Sequence, residues 1–196
     1  MAKHPPKQPA AFLDRDGTLN VDVGYPDSLE KIVLIPGAVE AVQLLNRAGY
    51  AVVVVSNQSG VARGYFDEAR VQAINRGVAE MFAQAGARID GFYYCPHLPE
   101  AAVARYRRAC GCRKPAPGML QKAVREMHLD LARSLIIGDK YSDIAAGKAL
   151  GLQAVLVRTG EGAHQHARYE ADDAIPQPDH ISDDVLAAVR WLLKVM

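Results

Sequence analysis

The sequence predicts an α/β fold, a Rossmann-like parallel sheet with helices on both faces. Short apolar runs alternate with amphipathic segments along the chain, and successive βα units satisfy that alternation most economically. The run "AVVVVSN" at 51–57 is too continuously apolar for a strand with one wet face, so it reads as a strand covered on both sides. Glycines and a proline stand where helix ends need them. In such sheets ligands bind beyond the carboxyl ends of the strands, so chemistry is expected there.

The elements follow in order. "AAFLD" is a strand ending at Asp14. "PGAVEAVQLLNRAGY" is a helix with Pro36 in its first turn and Gly49 at its C-terminal cap. After the strand at 51–57, "DEARVQAINRGVAEMFAQAG" is a long helix with Asp67 as N-cap and Gly86 as its stop. "GFYYC" is the next strand. "PGMLQKAVREMHL" is a helix, "SLIIGD" a strand, "SDIAAGKALG" a helix and "QAVLVRTG" a strand. "ISDDVLAAVRWLLKVM" closes as a helix with Ser182 as N-cap and Trp191 on its core face. Asp14, Ser56, Cys95 and Asp139 end apolar runs, and the topology predicts that they collect along one edge of the sheet.

The chain has 196 residues, enough for one domain with a sizeable core, and 49% hydrophobic with 23% charged residues reads as globular. A net charge of +1 predicts no general attraction to nucleic acid or an anionic membrane. No apolar run approaches membrane-spanning length, and "MAKHPPKQPA" has no apolar signal core, so a cytoplasmic protein is expected. Residues 1–10 read as a flexible tail and 11–196 as a single domain. Nothing calls for an obligate partner, and a monomer is expected.

"FLDRDGTLN" sets Asp14 and Asp16 where a buried strand gives way to a loop, and side chains two apart in extended chain face the same way. Two such carboxylates repel unless a cation joins them. Alone, Asp-x-Asp-Gly reads as readily as a strand-ending turn. Three further stretches shift the balance: Ser56 and Asn57 end a core strand, Lys114 precedes a helix start, and Gly138-Asp139 ends a strand with Asp143 four residues on. Each has its own bland reading as a turn, a solvated charge or a helix cap. Together they suit phosphoryl transfer, in which catalysis is largely positioning and charge neutralisation.

This set, "DRDGT", "VVVVSN", the Lys of "RKP" and "GDKYSD", resembles the four motifs of the haloacid dehalogenase-like phosphatases over most of the chain. The resemblance implies Asp14 as nucleophile, forming an aspartyl-phosphate, and Asp16 as general acid/base. It implies Mg²⁺ held by Asp14, the main-chain carbonyl of Asp16 and Asp139. Ser56 and Lys114 would hold the phosphoryl group, and Asp143 would support the metal from behind.

All three cysteines fall between Cys95 and Cys112. An odd number fits a disulfide framework poorly. Cys95, His97, Cys110 and Cys112 supply the four N/S ligands that zinc takes, although their x₁ spacings are tighter than finger spacing. Buried thiols beside a chance histidine remain the alternative. "PHLPEAAVARYRRA" between them is polar and poorly periodic, so it is expected to need a staple. A structural zinc there would anchor Arg113 and Lys114 beside the phosphate site.

"YYCPH", "CGCRKPAPGML", "SNQSGVARG" and "DRDGTLNVDVGY" are similar to the zinc-clamped heptose-bisphosphate phosphatase branch, with the histidinol-phosphate phosphatases as close relatives. That similarity, specific between about 12 and 160, implies removal of the 7-phosphate of a heptose bisphosphate on the way to lipopolysaccharide precursors. It implies substrate contacts from Asp22, Val23, Gly24 and Tyr25 in a flap, from Ser56, Asn57, Gln58 and Ser59, and from Arg113, Lys114 and Lys140. Neither 14–56 nor 95–114 has room for an inserted domain, so the fold is expected to be capless and the substrate a small sugar bisphosphate. His164 and His166 read as part of a solvated loop, and "RTGEG" as a Gly-rich turn without a nucleotide-binding pattern.

Overall fold

A computed structural model describes residues 7–195. Its sheet has six strands: β1 (Pro9–Leu13), β2 (Ala51–Asn57), β3 (Gly91–Cys95), β4 (Asp130–Gly138), β5 (Gln153–Val157) and β6 (His180–Ser182). Their spatial order is β3-β2-β1-β4-β5-β6, and every neighbouring pair is parallel. The helices are α1 (Ala38–Arg47), α2 (Gly60–Arg63), α3 (Glu68–Gln84), α4 (Gly118–Met127), α5 (Tyr141–Lys148), α6 (Gly162–Tyr169) and α7 (Val185–Val195). Single 3₁₀ turns occur at Leu29–Lys31 and Ala104–Tyr106.

Period-two alternation within the strands builds a core on each face of the sheet. Ala11, Leu13, Val52, Val54, Leu135 and Ile137 pack with α1, α3 and α7 residues such as Leu45, Phe82 and Leu192. Ala10, Phe12, Val53, Val55 and Ile136 pack on the other face with Leu120 of α4 and Ile144 of α5. Side chains of this size, fully withdrawn from water, each contribute roughly 1.5–3 kcal/mol. Both faces are therefore covered, as the continuous apolar run of β2 predicts.

β1 and β4 are neighbours at the sheet's centre, with sequence order running outward in opposite directions on either side. That is a topological switch point, where a crevice opens beyond the strand ends. Asp14 continues β1 along β4, its amide donating to the Ile137 carbonyl at 3.0 Å. The fold thus sets the residue after β1 beside the residue after β4.

Several local expectations need correction. Residues 1–6 of the expected tail lie outside the described residues, while Pro9 and Ala10 belong to β1, with Ala10 fully buried. Pro36 precedes the helix rather than sitting in its first turn, because Gly37 takes the N-cap position. Asp67 does cap α3, its side chain accepting from the Arg70 amide at 2.9 Å. β4 begins earlier than the apolar run "SLIIGD", at Asp130, which pairs with Pro9 of β1 and donates its amide to the Gln8 carbonyl at 2.8 Å. Ser182 ends β6, a short strand the pattern did not show; Asp184 caps the last helix instead, accepting from the Ala187 amide. His164 and His166 lie on α6 and not in a loop.

Candidate active site

The acidic centre forms where β1 and β4 end. Asp14 is 5% exposed and Asp139 fully buried. Asp14, Asp139 and Asp143 each offer an oxygen within 4.8 Å of the others. Burial pushes the Asp14 carboxyl up to about 6, against the pull of Lys114. Burial first, and then the facing Asp14, pushes Asp139 up to about 8. These carboxyls resist ionising together, so a cation among them is favoured. Asp139 Oδ1 is buried with no hydrogen-bond partner among the described residues, and Oδ2 accepts from the Glu161 amide at 2.9 Å. Two glycines leave room for this carboxylate: a Cβ on Gly17 would come 2.2 Å from Asp139 Oδ2, and one on Gly160 2.3 Å. An all-oxygen cluster with one unpartnered carboxylate oxygen suits a hard divalent cation.

Lys114 is held from several sides. Its ammonium donates to the Val55 carbonyl at 2.6 Å and pairs with Asp14 Oδ1 at 3.0 Å and Asp143 Oδ1 at 2.5 Å. Burial works against this charge, yet Asp14 and Asp143 lift it above its ordinary value. Asn57 fixes the backbone of Lys114 by a reciprocal pair, its amide donating to the Lys114 carbonyl at 3.0 Å and its Oδ1 accepting from the Lys114 amide at 3.1 Å. The Lys140 amide donates to Asp143 Oδ2 at 3.1 Å. With both oxygens engaged by protein donors, Asp143 is placed to orient Lys114, and Asp14 with Asp139 is left to face a cation.

Asp16 accepts four hydrogen bonds. Arg15 Nε and Asn20 Nδ2 donate to Oδ1 at 3.1 and 3.0 Å; Arg15 Nη2 and Gln58 Nε2 donate to Oδ2 at 2.8 and 2.9 Å. Burial, the largest single influence, would raise this carboxyl, but the Arg15 guanidinium together with the Asn20 and Gln58 hydrogen bonds holds it below its usual range. Gln58 Nε2 also reaches Ser56 Oγ at 2.8 Å, tying the end of β2 to the acid after β1.

A cavity of about 380 Å³ opens over these groups. Asp14, Asp16, Ser56, Asn57, Gln58 and Ser59 form one side of it. Asp22, Gly24, Tyr25, Arg113, Lys114 and Lys140 also line it. The flap is pinned twice: Asp22 Oδ2 pairs with Lys140 Nζ at 3.0 Å, and the Tyr25 ring meets Tyr65 edge-on at 4.9 Å. Val23, the remaining flap candidate, is 48% exposed and lies outside the lining. Arg113 Nη1 donates to the His97 carbonyl at 3.3 Å, so its position depends on the cysteine loop.

That loop carries the second cluster. Cys95, His97, Cys110 and Cys112 each offer a donor atom within 4.8 Å of the others. The donor–donor separations run from 3.2 Å for Cys112–Cys95 to 3.6 Å for Cys95–His97 Nδ1, close to the roughly 3.5–3.8 Å that a zinc tetrahedron implies. Burial and then the neighbouring Cys112 push the Cys95 thiol well above its ordinary value. The donor set fits zinc. The loop also holds itself together more than its polarity suggested: Ala101 and Tyr106 are buried with Val61, Ala62 and Val71, and Tyr106 donates to Glu68 at 2.8 Å.

Some contributions were not read from the sequence. Arg15 and Asn75 lie beneath Asp16, Arg15 Nη1 donating to Asn75 Oδ1 at 2.9 Å. Thr159 Oγ1 donates to the Gly17 carbonyl at 2.6 Å, so "RTGEG" braces the acidic loop through Thr159, Gly160 and Glu161. An arginine between two acids and a buried asparagine on an apolar helix face were the available signals.

Comparison with known proteins places this geometry in context. A family model described as HAD-hydrolase-like matches residues 111–188. D-glycero-beta-D-manno-heptose-1,7-bisphosphate 7-phosphatase of Escherichia coli (strain K12) is 44% identical over 165 residues, 84% of this chain and 86% of that protein. The D-glycero-D-manno-heptose-1,7-bisphosphate 7-phosphatase of Thermosynechococcus vestitus is 44% identical over 195 residues, 94% of this chain and 95% of that one. The crystal structure of D,D-heptose 1,7-bisphosphate phosphatase from B. bronchiseptica, complexed with magnesium and phosphate, superposes with a TM-score of 0.84. It is 33% identical and covers 96% of this chain and 99% of its own.

Proposed function

The chain belongs to the HAD-like hydrolases that include these heptose-bisphosphate phosphatases, and on that premise we propose that it is a Mg²⁺-dependent phosphatase removing the 7-phosphate from D-glycero-D-manno-heptose 1,7-bisphosphate. The observation that carries the reading is the meeting of Asp14, Asp139 and Lys114 under a small polar cavity at the switch point.

Asp14 is the nucleophile. Its Oδ1 is taken by the Arg15 amide at 2.8 Å and by Lys114, which leaves Oδ2 to attack phosphorus. The P–O bond to the sugar breaks as the Asp14–phosphorus bond forms. Asp16, kept ionised by Arg15 in the free site, takes up a proton as the phosphorylated substrate enters, gives it to the leaving oxygen, and then takes one from the water that cleaves the aspartyl-phosphate. Ser56 and Lys114 hold the phosphoryl oxygens, with Gln58 bracing Ser56 and Asn57 bracing Lys114. Asp14, Asp139 and the main-chain carbonyl of Asp16 would hold Mg²⁺, which when bound supplies positive charge at the phosphoryl oxygens. Asp143 keeps Lys114 aimed at Asp14. A zinc ion on Cys95, His97, Cys110 and Cys112 would be structural, since all four ligand positions are filled by protein.

Arg113, Lys114 and Lys140 border the same cavity as Asp22, Gly24 and Tyr25 of the flap. Three cations in so small a space suit a substrate with a second phosphate better than one with an imidazole and an amine. We read the chain from β1 onward as one capless unit, a monomer in the cytoplasm with no nucleic-acid or membrane partner. Among the described residues no helix is long and apolar enough to cross a membrane.

Phosphate release from the heptose bisphosphate and from histidinol phosphate, each with Mg²⁺ and with chelator, tests the reading. Mg²⁺-dependent turnover favouring the bisphosphate is expected. A clear preference for histidinol phosphate would overturn the substrate, and metal-independent turnover would overturn the mechanism.

A further inference from the structure

Arg15 is only 1% exposed, among the largest fully buried side chains of the protein. Burying a guanidinium is costly unless its donors are used. Nε and Nη2 grip both oxygens of Asp16, and Nη1 donates to Asn75. Asn75 is itself out of place by polarity: on α3 its buried companions are Val71, Ile74, Gly77, Val78 and Phe82. Its side-chain oxygen accepts from an arginine whose other two contacts lie on one carboxylate. Helix α3 thus reaches the reacting centre through a single buried polar chain, Asn75 to Arg15 to Asp16.

The four donors on Asp16 are not equivalent. A two-point guanidinium–carboxylate contact is strong and fixes the plane of the carboxylate, whereas the amides of Asn20 and Gln58 make single neutral contacts. Gln58 lines the cavity and touches Oδ2, so Oδ2 faces the substrate. An incoming leaving oxygen displaces the Gln58 contact most easily, while Arg15 keeps the plane.

We propose that Arg15, anchored by Asn75, is a positioning residue that holds the Asp16 carboxylate with Oδ2 toward the leaving oxygen. The inference rests on the acid/base reading of Asp16. It assigns to α3 a part in the reaction separate from its packing role.

The test measures kcat/KM on the heptose bisphosphate, whose alkoxide needs a proton to leave, and on p-nitrophenyl phosphate, whose phenolate does not. Arg15→Met is expected to lower the sugar value about 30-fold or more, within the range of general acid catalysis, and the aryl value about threefold or less. Arg15→Lys, able to give one bond of the two, should recover part of the loss. Asn75→Ala, which keeps the cation and guards against misfolding of the arginine variants, should show the same bias at about three- to tenfold. Asp16→Asn is the reference and should discriminate at least as strongly. Equal losses on both substrates, or an unchanged sugar value, in Arg15→Met and Asn75→Ala would overturn the proposal while Asp16→Asn still discriminates. Equal losses in Asp16→Asn would overturn the reading of Asp16 beneath it.

Discussion

Asp14 and Asp139 carry protons in the folded protein at pH values where the free side chains would be ionised, since burial lifts them from 3.8 to about 6 and about 8. Unfolding between about pH 4 and 8 therefore releases protons, and metal-free protein loses stability as pH rises through that window. A divalent cation must displace the same protons. The thermal shift produced by Mg²⁺ should be larger at pH 8 than at pH 6; an equal or reversed shift would separate the cation from these carboxyls. Asp14→Asn keeps the shape and removes the nucleophile, so phosphate release should fall at least about 10³-fold with the far-UV spectrum unchanged. Retained turnover would refute the nucleophile. Both acids were legible in the sequence because each ends an apolar run, Asp14 opening Asp-x-Asp-Gly and Asp139 following Gly138. Arg15 was not: a charge between two acids reads as solvated until the fold shows it buried. Asn57 and Gln58 were legible as site residues, but their amides serve Lys114, Ser56 and Asp16, a division of labour set by side-chain direction.

At the scale of elements, the cysteine loop couples two sites. Gln58 donates its amide to the Cys95 carbonyl at 2.8 Å, Arg113 reaches the His97 carbonyl, and Gly118 at the head of α4 donates to Gly111 at 2.8 Å. Cys112 lies two residues before Lys114, so the cluster fixes where the ammonium arrives. Cys110→Ser should lower the melting temperature, release about one zinc per chain by elemental analysis, and raise KM more than it lowers kcat. Wild-type protein purified without chelator and free of zinc would remove this account. The four residues of the cluster could be read from residue type and spacing. The loop's own apolar contacts could not, because Ala101 and Tyr106 find their partners on α2 and α3, far away in sequence. The same distance hid the brace from Thr159 and Glu161: a Gly-rich turn carries no sign of the acid it will meet. β6 was hidden for another reason, since three residues are too few to show a period.

For the molecule as a whole, the alternation of strands and helices set the architecture, and the order β3-β2-β1-β4-β5-β6 explains why the site lies where it does. Reversal of strand order between β1 and β4 opens a crevice, and the acids that end those two strands fall into it. Lys114 comes from the loop before α4, on the far side of β2, and closes the set. Among the described residues no inserted domain stands over the cavity of about 380 Å³; the flap from Asp22 to Tyr25, latched by Lys140 and Tyr65, borders it. A small anionic substrate fits that geometry, and the proposal of a heptose bisphosphate draws on the relatives. Acid quenching during turnover, borohydride reduction and peptide mass spectrometry read the covalent step directly, because reduction turns an aspartyl-phosphate into homoserine. Homoserine at position 14, formed only with substrate and Mg²⁺, is the predicted result. Its appearance at another aspartate, or its absence while the heptose bisphosphate is hydrolysed, would contradict the convergence of Asp14, Asp139 and Lys114 as the reacting centre.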